Sequence, residues 1–215
     1  LGIIIKKNKN IWEVFGNGIG NLSGSGLSLD LGNSGTGSRL LMGLIAGSDV
    51  EATITGDESL SKRPMKRIIK PLKKTGAVFD DPNNDNLPIK IKGSKIPLPL
   101  QYKSPVASAQ IKSSILLAGL SSLGNTTVIE PSLSRDHTER MLKYLGAKVS
   151  TKKLLNSSWK ITLKGLPELK PNNIEVPSDP SSAAFPIVAS LITPNSQIKV
   201  LNVCVNKLRA GLYQS

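Results

Sequence analysis

The residues of this chain best suited to bind anions are its arginines, which are few beside a large excess of lysine. The formal net charge is +13, and most of it comes from lysines scattered along the sequence, as is typical of a solvated surface. A guanidinium is a planar fork of donors, so it suits a phosphate or carboxylate better than the point charge of lysine does. The arginines therefore indicate where anions bind. They are Arg39, Arg63, Arg67, Arg135, Arg140 and Arg209.

A glycine-rich turn, "LDLGNSGTGSR" at 29–39, precedes a predicted helix. Gly32, Gly35 and Gly37 allow a tight turn and the close approach of a ligand. The free N–H groups at a helix start also favour an anion. The turn matches neither a Walker loop nor the dinucleotide GxGxxG pattern. A turn without a ligand explains the glycines equally well.

Two arginines occupy equivalent places before helices. Arg63 lies in "DESLSKRPMKR", where Pro64 is predicted to open a helix. A cation at the positive end of a helix dipole is unfavourable unless a bound anion neutralises it. Arg135 repeats this position in "PSLSRDHTER". We therefore expect both arginines to bind anions, with a surface role as the alternative.

A third anion-binding point is predicted in "SPVASAQIKSS", at 104–114. Ser108 and Gln110 lie at a helix start, and Lys112 follows closely. Together they offer a hydroxyl, an amide and a positive charge beside free backbone N–H groups. The alternative is that Ser108 only caps the helix.

The other reactive side chains are predicted to be structural. His137, the single histidine, is interpreted as a first-turn surface residue, because no nucleophile pattern accompanies it. Asp179, Ser181 and Ser182 are interpreted as the cap of a buried helix. Cys204 lies in the apolar run "IKVLNVCV" and is predicted to be a buried, inert thiol.

Composition argues against several classes of protein. Aromatic residues make up only 4%, which is poor for base stacking, and no zinc-finger spacing or RNA-recognition signature is present. No apolar run reaches the roughly 18 residues of a membrane span. One cysteine cannot form a disulfide framework, which favours a reducing compartment.

An internal repeat predicts the elements that position these residues. Each unit reads strand–helix–strand–helix–strand–strand, and two complete units cover about 26–93 and 95–165. The first helix of each unit is apolar almost all round and is expected to be buried, while the second is amphipathic. We therefore expect an α/β fold resembling an inside-out barrel, with helices inside and sheets outside.

The repeat also bears on the ends of the chain. It begins with the last two strands of one unit and ends near the start of the second helix of another, "NKLRAGLYQS". Because a repeat unit cannot bury its apolar face alone, we expect this sequence to be an internal fragment.

Five ordered segments resemble the 5-enolpyruvylshikimate-3-phosphate synthase family, in its second bacterial class. They are "LDLGNSGTGSRLLMGL", "GDESLSKRPMKR", "ASAQIKSSILLAGL", "SRDHTERML" and "PSDPSSAAFPIVAS". The resemblance implies two lobes of three units each, with 1–176 in one lobe and 177–215 starting the return into the other. It also implies transfer of the enolpyruvyl group of phosphoenolpyruvate to the 5-hydroxyl of shikimate 3-phosphate, with release of phosphate.

The same resemblance implies roles for individual residues. The shikimate 3-phosphate contacts would be Ser108, Ala109, Gln110 and Arg135. The phosphoenolpyruvate contacts would be Asn33, Gly35, Arg63 and Gln110. Catalytic residues are expected before Leu1 and after Ser215, so the fragment alone is expected to be inactive. The inhibitor glyphosate would occupy the phosphoenolpyruvate place beside Gly35.

The resemblance further implies a cytoplasmic monomer that needs no metal or organic cofactor and binds neither nucleic acid nor membrane. Two alternatives stay open. One is the related enolpyruvyl transferase that acts on UDP-N-acetylglucosamine; Cys204 argues against it, because that family uses a loop cysteine. The other is a non-catalytic basic binding module.

Overall fold

The structure, a computed structural model, describes residues 1–81 and 85–214 and contains two four-stranded sheets and a separate hairpin. The hairpin comprises β1 (Ile4–Asn8) and β2 (Ile11–Phe15). The first complete unit comprises β3 (Leu27–Asp30), α1 (Gly35–Ala46), β4 (Glu51–Thr55), α2 (Glu58–Ser61), α3 (Lys66–Lys73), β5 (Val78–Phe79) and β6 (Ile89–Lys92).

The second unit has the predicted order of elements. It comprises β7 (Gln101–Lys103), α4 (Ala109–Ala118), β8 (Asn125–Glu130), α5 (His137–Tyr144), β9 (Val149–Lys153) and β10 (Trp159–Lys164). A 3₁₀ turn, Gly119–Ser121, follows α4. Beyond it lie α6 (Pro180–Ile192) and a final 3₁₀ helix, Gly211–Gln214.

The two sheets share one topology, which confirms the repeat. In each unit the first strand pairs in parallel with the second, and the fourth strand pairs antiparallel with both the second and the third. The orders are β3-β4-β6-β5 and β7-β8-β10-β9. The units differ in one respect, because the second helix of the first unit is split into α2 and α3.

The apolar helices α1 and α4 pack against each other between the sheets. Met42 and Ile45 of α1 and Ile115 and Leu116 of α4 are fully buried. A Cβ atom on Gly43 would lie 2.2 Å from the Ser114 carbonyl oxygen, so the two backbones meet where a side chain cannot fit. The prediction of helices inside and sheets outside is confirmed for these two units.

The third apolar helix, α6, is not buried as predicted. Phe185 is 79% exposed and Leu191 is 78% exposed, while Pro180 and Ala183 are the buried residues of the helix. Within the described residues this unit has only a bridge between Ser178 and Val203 in place of a sheet, so most of the helix beyond its first turn is left exposed. The predicted start of a second helix proves to be a turn followed by the final 3₁₀ helix.

No helix among the described residues is both long enough and apolar enough to cross a membrane.

Candidate active site

The four residues predicted to bind the sugar phosphate line one cavity of about 530 Å³. The start of α4 and the loop before α5 form two of its walls, and the first turn of α6 together with the turn at Leu208 and Arg209 forms a third. The lining residues are Ala107, Ser108, Ala109, Gln110, Leu133, Ser134, Arg135, Ser181, Leu208 and Arg209.

Ser108 caps α4, which is the alternative given for this residue in the sequence analysis. Its hydroxyl accepts a hydrogen bond from the Ile111 backbone N–H at 3.4 Å. The first N–H groups of a helix have no carbonyl partner within the helix, so the start of α4 offers donors and a positive dipole end to the cavity. A cap and an anion site are therefore compatible at this residue.

Arg135 is the positive side chain on the opposite wall. Within the described part of the chain it forms no hydrogen bond and no salt bridge. Arg140, which lies in the first turn of α5, instead pairs with Asp136 at 2.7 Å. Arg135 is thus the available cation of this loop.

A second cluster gathers around the start of α1 and contains the predicted phosphoenolpyruvate contacts. Arg63 donates through Nη2 to the side-chain oxygen of Asn33 and, at 3.2 Å, to the hydroxyl of Ser59. The amide nitrogen of Asn33 donates to Asp57 Oδ2 at 2.8 Å, which orients the side chain. Asp57 also accepts from the Leu60 backbone N–H and so caps α2.

Gly35 lies buried between two guanidinium groups. A Cβ atom at this position would lie 3.0 Å from Arg39 Nη1 and 3.1 Å from Arg63 Nη1. The absence of a side chain at Gly35 therefore lets both arginines approach the same point.

Gln110 joins the two clusters. Its amide nitrogen donates to the Thr36 hydroxyl at 2.9 Å, and its amide oxygen accepts from Arg39 Nη1 at 3.2 Å. A smaller cavity of about 140 Å³ lies beside it, lined in part by Thr36, Arg135 and His137. The assignment of Gln110 to both substrates in the sequence analysis corresponds to this central place.

Arg39 is the functional candidate that the sequence analysis listed among the anion-binding arginines but assigned to neither substrate. It donates to the Gly35 carbonyl oxygen at 3.2 Å as well as to Gln110. Burial lowers the pKa of Arg39, and the nearby charges of Arg63 and Arg67 lower it further. The sequence signal for a role of Arg39 was its position four residues after Gly35, because residues four apart in a helix lie on the same face.

Two sequence predictions about this region are wrong. Lys112 does not face the cavity; its side chain is fully buried and pairs with Glu130 and Glu139. Arg63 does not open a helix, because α2 ends just before it and α3 begins only at Lys66.

The cause of the second error is local. Asp57 caps a separate short helix, so Arg63 follows the C-terminal end of that helix, where a cation is favourable. Pro64 consequently lies between α2 and α3 instead of opening a helix.

Of the predictions for His137 and Cys204, one agrees with the structure and one does not. His137 is exposed at the start of α5, as predicted, and its pKa is lowered mainly because neighbouring groups partly remove its ring from water. Cys204 is only half-buried, and its sulfur lies 3.6 Å from His137 Nε2, so the predicted buried thiol is wrong. Among the described residues, no group of three or more metal-binding side chains occurs.

Asp179 caps α6, as predicted, and accepts from the Ser182 backbone N–H at 2.9 Å. It also accepts from Arg209 at 2.8 Å, and this bond is the main cause that lowers its pKa to about 2. Arg209 donates to the Ser181 hydroxyl as well, so the third wall of the cavity is held together by Asp179 and Arg209.

Comparison with known proteins gives one consistent result. The chain is 53% identical over 202 residues to the 3-phosphoshikimate 1-carboxyvinyltransferase of Parvibaculum lavamentivorans, covering 94% of this chain and 45% of that protein. It is 47% identical over 215 residues to the enzyme of the same name from Bartonella henselae, covering 100% of this chain and 49% of that protein. The chain thus spans about half the length of these relatives.

Comparison with solved structures leads to the same family. An EPSP synthase from Acinetobacter baumannii superposes with a TM-score of 0.84 at 43% identity, covering 99% of this chain and 47% of that one. The relatives named here carry the shikimate enzyme's name, which does not favour the UDP-sugar alternative. The EPSP synthase family, 3-phosphoshikimate 1-carboxyvinyltransferase, matches residues 1–215, and the chain therefore belongs to this family.

Proposed function

We propose that the protein containing this chain transfers the enolpyruvyl group of phosphoenolpyruvate to the 5-hydroxyl of shikimate 3-phosphate and releases phosphate. This is the reaction step that leads toward chorismate and the aromatic amino acids. Family membership supports the reaction, and the arrangement of residues supports the assignment of different residues to the two substrates.

The observation that carries the proposal is the place of Gln110 between two cationic clusters. On one side is the cavity with Arg135 and the start of α4. On the other are Arg39 and Arg63 around Gly35. Two anionic substrates that must react with each other need adjoining sites, and Gln110 both lines the cavity and accepts a hydrogen bond from Arg39.

We assign shikimate 3-phosphate to Ser108, Ala109, Gln110 and Arg135. Arg135 would pair with its phosphate, because this guanidinium has no partner among the described residues. The N–H groups at the start of α4 supply further donors. The third cavity wall comes from Ser181 and Arg209, which fits our division into one lobe over 1–176 and the start of another over 177–215.

We assign phosphoenolpyruvate to Asn33, Gly35, Arg63 and Gln110, with Arg39 beside them. The transferred group carries a carboxylate, and the leaving group is a phosphate, so negative charge is present throughout the reaction. Preorganised cations that need no rearrangement stabilise such charge effectively in a water-poor site. The residues of this chain would therefore supply binding and electrostatic stabilisation, while the proton-transfer groups are expected outside it.

The test is phosphate release by the purified full-length gene product. Release should require both phosphoenolpyruvate and shikimate 3-phosphate, and it should survive EDTA. Replacing shikimate 3-phosphate with UDP-N-acetylglucosamine should abolish it; activity with the UDP-sugar would support the alternative transferase instead. Nucleic-acid binding with steep salt dependence and no turnover would support the basic binding module.

A cytoplasmic location and a monomeric state belong to the same proposal and rest on the family resemblance. Gel filtration of the full-length protein tests directly whether it is a monomer.

A further inference from the structure

A buried group of three charged residues lies behind the cavity and takes no direct part in lining it. Lys112 of α4 is 0% exposed, Glu130 at the end of β8 is 1% exposed, and Glu139 of α5 is 2% exposed. The Lys112 ammonium lies 2.7 Å from Glu139 Oε1 and 3.1 Å from Glu130 Oε1. We call these three residues the buried triad.

The triad holds the residue next to Arg135. Glu130 accepts from the Ser134 backbone N–H at 2.8 Å and from the Ser134 hydroxyl at 2.8 and 3.1 Å. Lys112 donates to the Ser134 carbonyl oxygen at 3.3 Å. The peptide groups on both sides of Ser134 are thereby fixed, and among the described residues Arg135 forms no hydrogen bond of its own that could fix it instead.

The triad is not required by the topology of the repeat. In the first unit, Ser38 occupies the position of Lys112, counted from the helix caps, and Gly56 occupies that of Glu130, counted along the antiparallel pairing with the fourth strand. That unit forms the same sheet and the same buried helix without charged residues at these positions. Buried ion pairs are costly to desolvate, so three such groups at one place need a reason beyond folding.

We propose that Lys112 is a positioning residue. Its ammonium fixes the Arg135 loop against the start of α4, and it thus sets the separation between Arg135 and the groups of Ser108 to Gln110 across the cavity. Lys112 lies two residues after Gln110 on the same helix, so α4 carries both the site residues and the anchor of the opposite wall. The identity of the ligand in this inference rests on the proposed function.

A double-mutant cycle tests the proposal in the full-length gene product, with the dissociation constant for shikimate 3-phosphate measured by calorimetry. Lys112→Met should weaken binding by about tenfold or more, because a shift of roughly 1 Å in a site can cost that much. In an Arg135→Ala background the same substitution should have almost no further effect, since it acts through Arg135. Equal losses in both backgrounds would overturn the proposal.

Ser114→Ala is the matched control, because Ser114 is a buried polar residue of the same helix whose hydroxyl has no hydrogen-bond partner among the described residues. It should leave the affinity unchanged. If Lys112→Met does not fold, Glu130→Gln serves in the same cycle. It leaves one buried carboxylate for the ammonium and removes an acceptor from Ser134. It should weaken binding several-fold in the wild-type background alone, and additive losses would again overturn the proposal.

Hydrogen exchange separates this inference from the proposed function. A wild-type protein that binds no shikimate 3-phosphate would refute the proposed function alone. Exchange at the Ser134 amide, which donates to Glu130, should still be faster in Lys112→Met than in Ser114→Ala. Unchanged exchange at this amide would refute the positioning role whatever the ligand is.

Discussion

Arg39 Nη1 lies 3.2 Å from Gln110 Oε1, and this hydrogen bond joins helices from different repeat units. The same guanidinium nitrogen contacts the carbonyl oxygen of Gly35. Arg39 thus orients the amide of Gln110, which lines the cavity of about 530 Å³, while the Arg39 guanidinium itself stays beside Gly35 and Arg63. The two predicted substrate sites are consequently coupled through one side chain.

Substituting Arg39 by Lys should separate charge from geometry at this contact. Lysine keeps the positive charge, but it lacks the planar fork that reaches Gly35 and Gln110 together. We expect the KM for phosphoenolpyruvate to rise about tenfold with a smaller change for shikimate 3-phosphate. Steady-state kinetics with each substrate varied in turn measures both constants. A variant with both constants unchanged would show that charge alone suffices.

Substituting Arg63 by Ala should remove a cation from the phosphoenolpyruvate cluster and leave Asn33 held by Asp57 alone. Losing one preorganised donor to developing charge costs about 100-fold or more in turnover. The control is Arg140→Ala, since Arg140 is exposed and pairs with Asp136 outside the site. Near-normal turnover of the Arg63 variant would end its assigned role.

Substituting Gly35 by Ala should place a methyl group against Arg39 and Arg63. The contacts of 3.0 and 3.1 Å are with flexible guanidinium ends, so the arginines can move but their anion site is reshaped. We expect weaker inhibition by glyphosate and a smaller rise in the KM for phosphoenolpyruvate. An inhibition constant unchanged from wild type would contradict this steric account.

Substituting Glu139 by Gln should alter how stability depends on pH. Burial raises the pKa of Glu139 above its ordinary value of 4.5. The folded state therefore binds this proton more tightly than the unfolded state does, so the stability it contributes is present below pH 4.5 and is lost as pH rises through the folded pKa. Urea unfolding from pH 4 upward should show the wild type losing stability relative to Glu139→Gln. Parallel curves for the two proteins would contradict the raised pKa.

The repeat, the elements of the second unit and the candidate anion-binding residues were predictable from the sequence. Each depends on local patterns such as apolar helices, caps like that of Ser108, and the sparing use of arginine. That the two clusters meet at Gln110 is visible only in the tertiary structure. The roles of the individual residues stay predictions until substrate binding is measured.

Lys112 shows what local patterns could not predict. Near a helix start, a lysine has the same sequence appearance whether it faces a ligand or enters the core. The outcome depended on Glu130 and Glu139, which come from a strand end and another helix and supply carboxylates only after the chain folds. Arg39 is a similar case, since its partner Gln110 is 71 residues away.

Sequence by itself determined the periodic elements and the types of residue at their ends, because helix propensity, capping and apolar spacing act over a few neighbouring residues. Tertiary structure alone decided which charges face the cavity and which are buried, because desolvation and ion pairing depend on partners distant in sequence. It also decided that most of α6 remains exposed: an apolar helix is buried only where other elements cover it, and the described part of this chain covers only the first turn of α6.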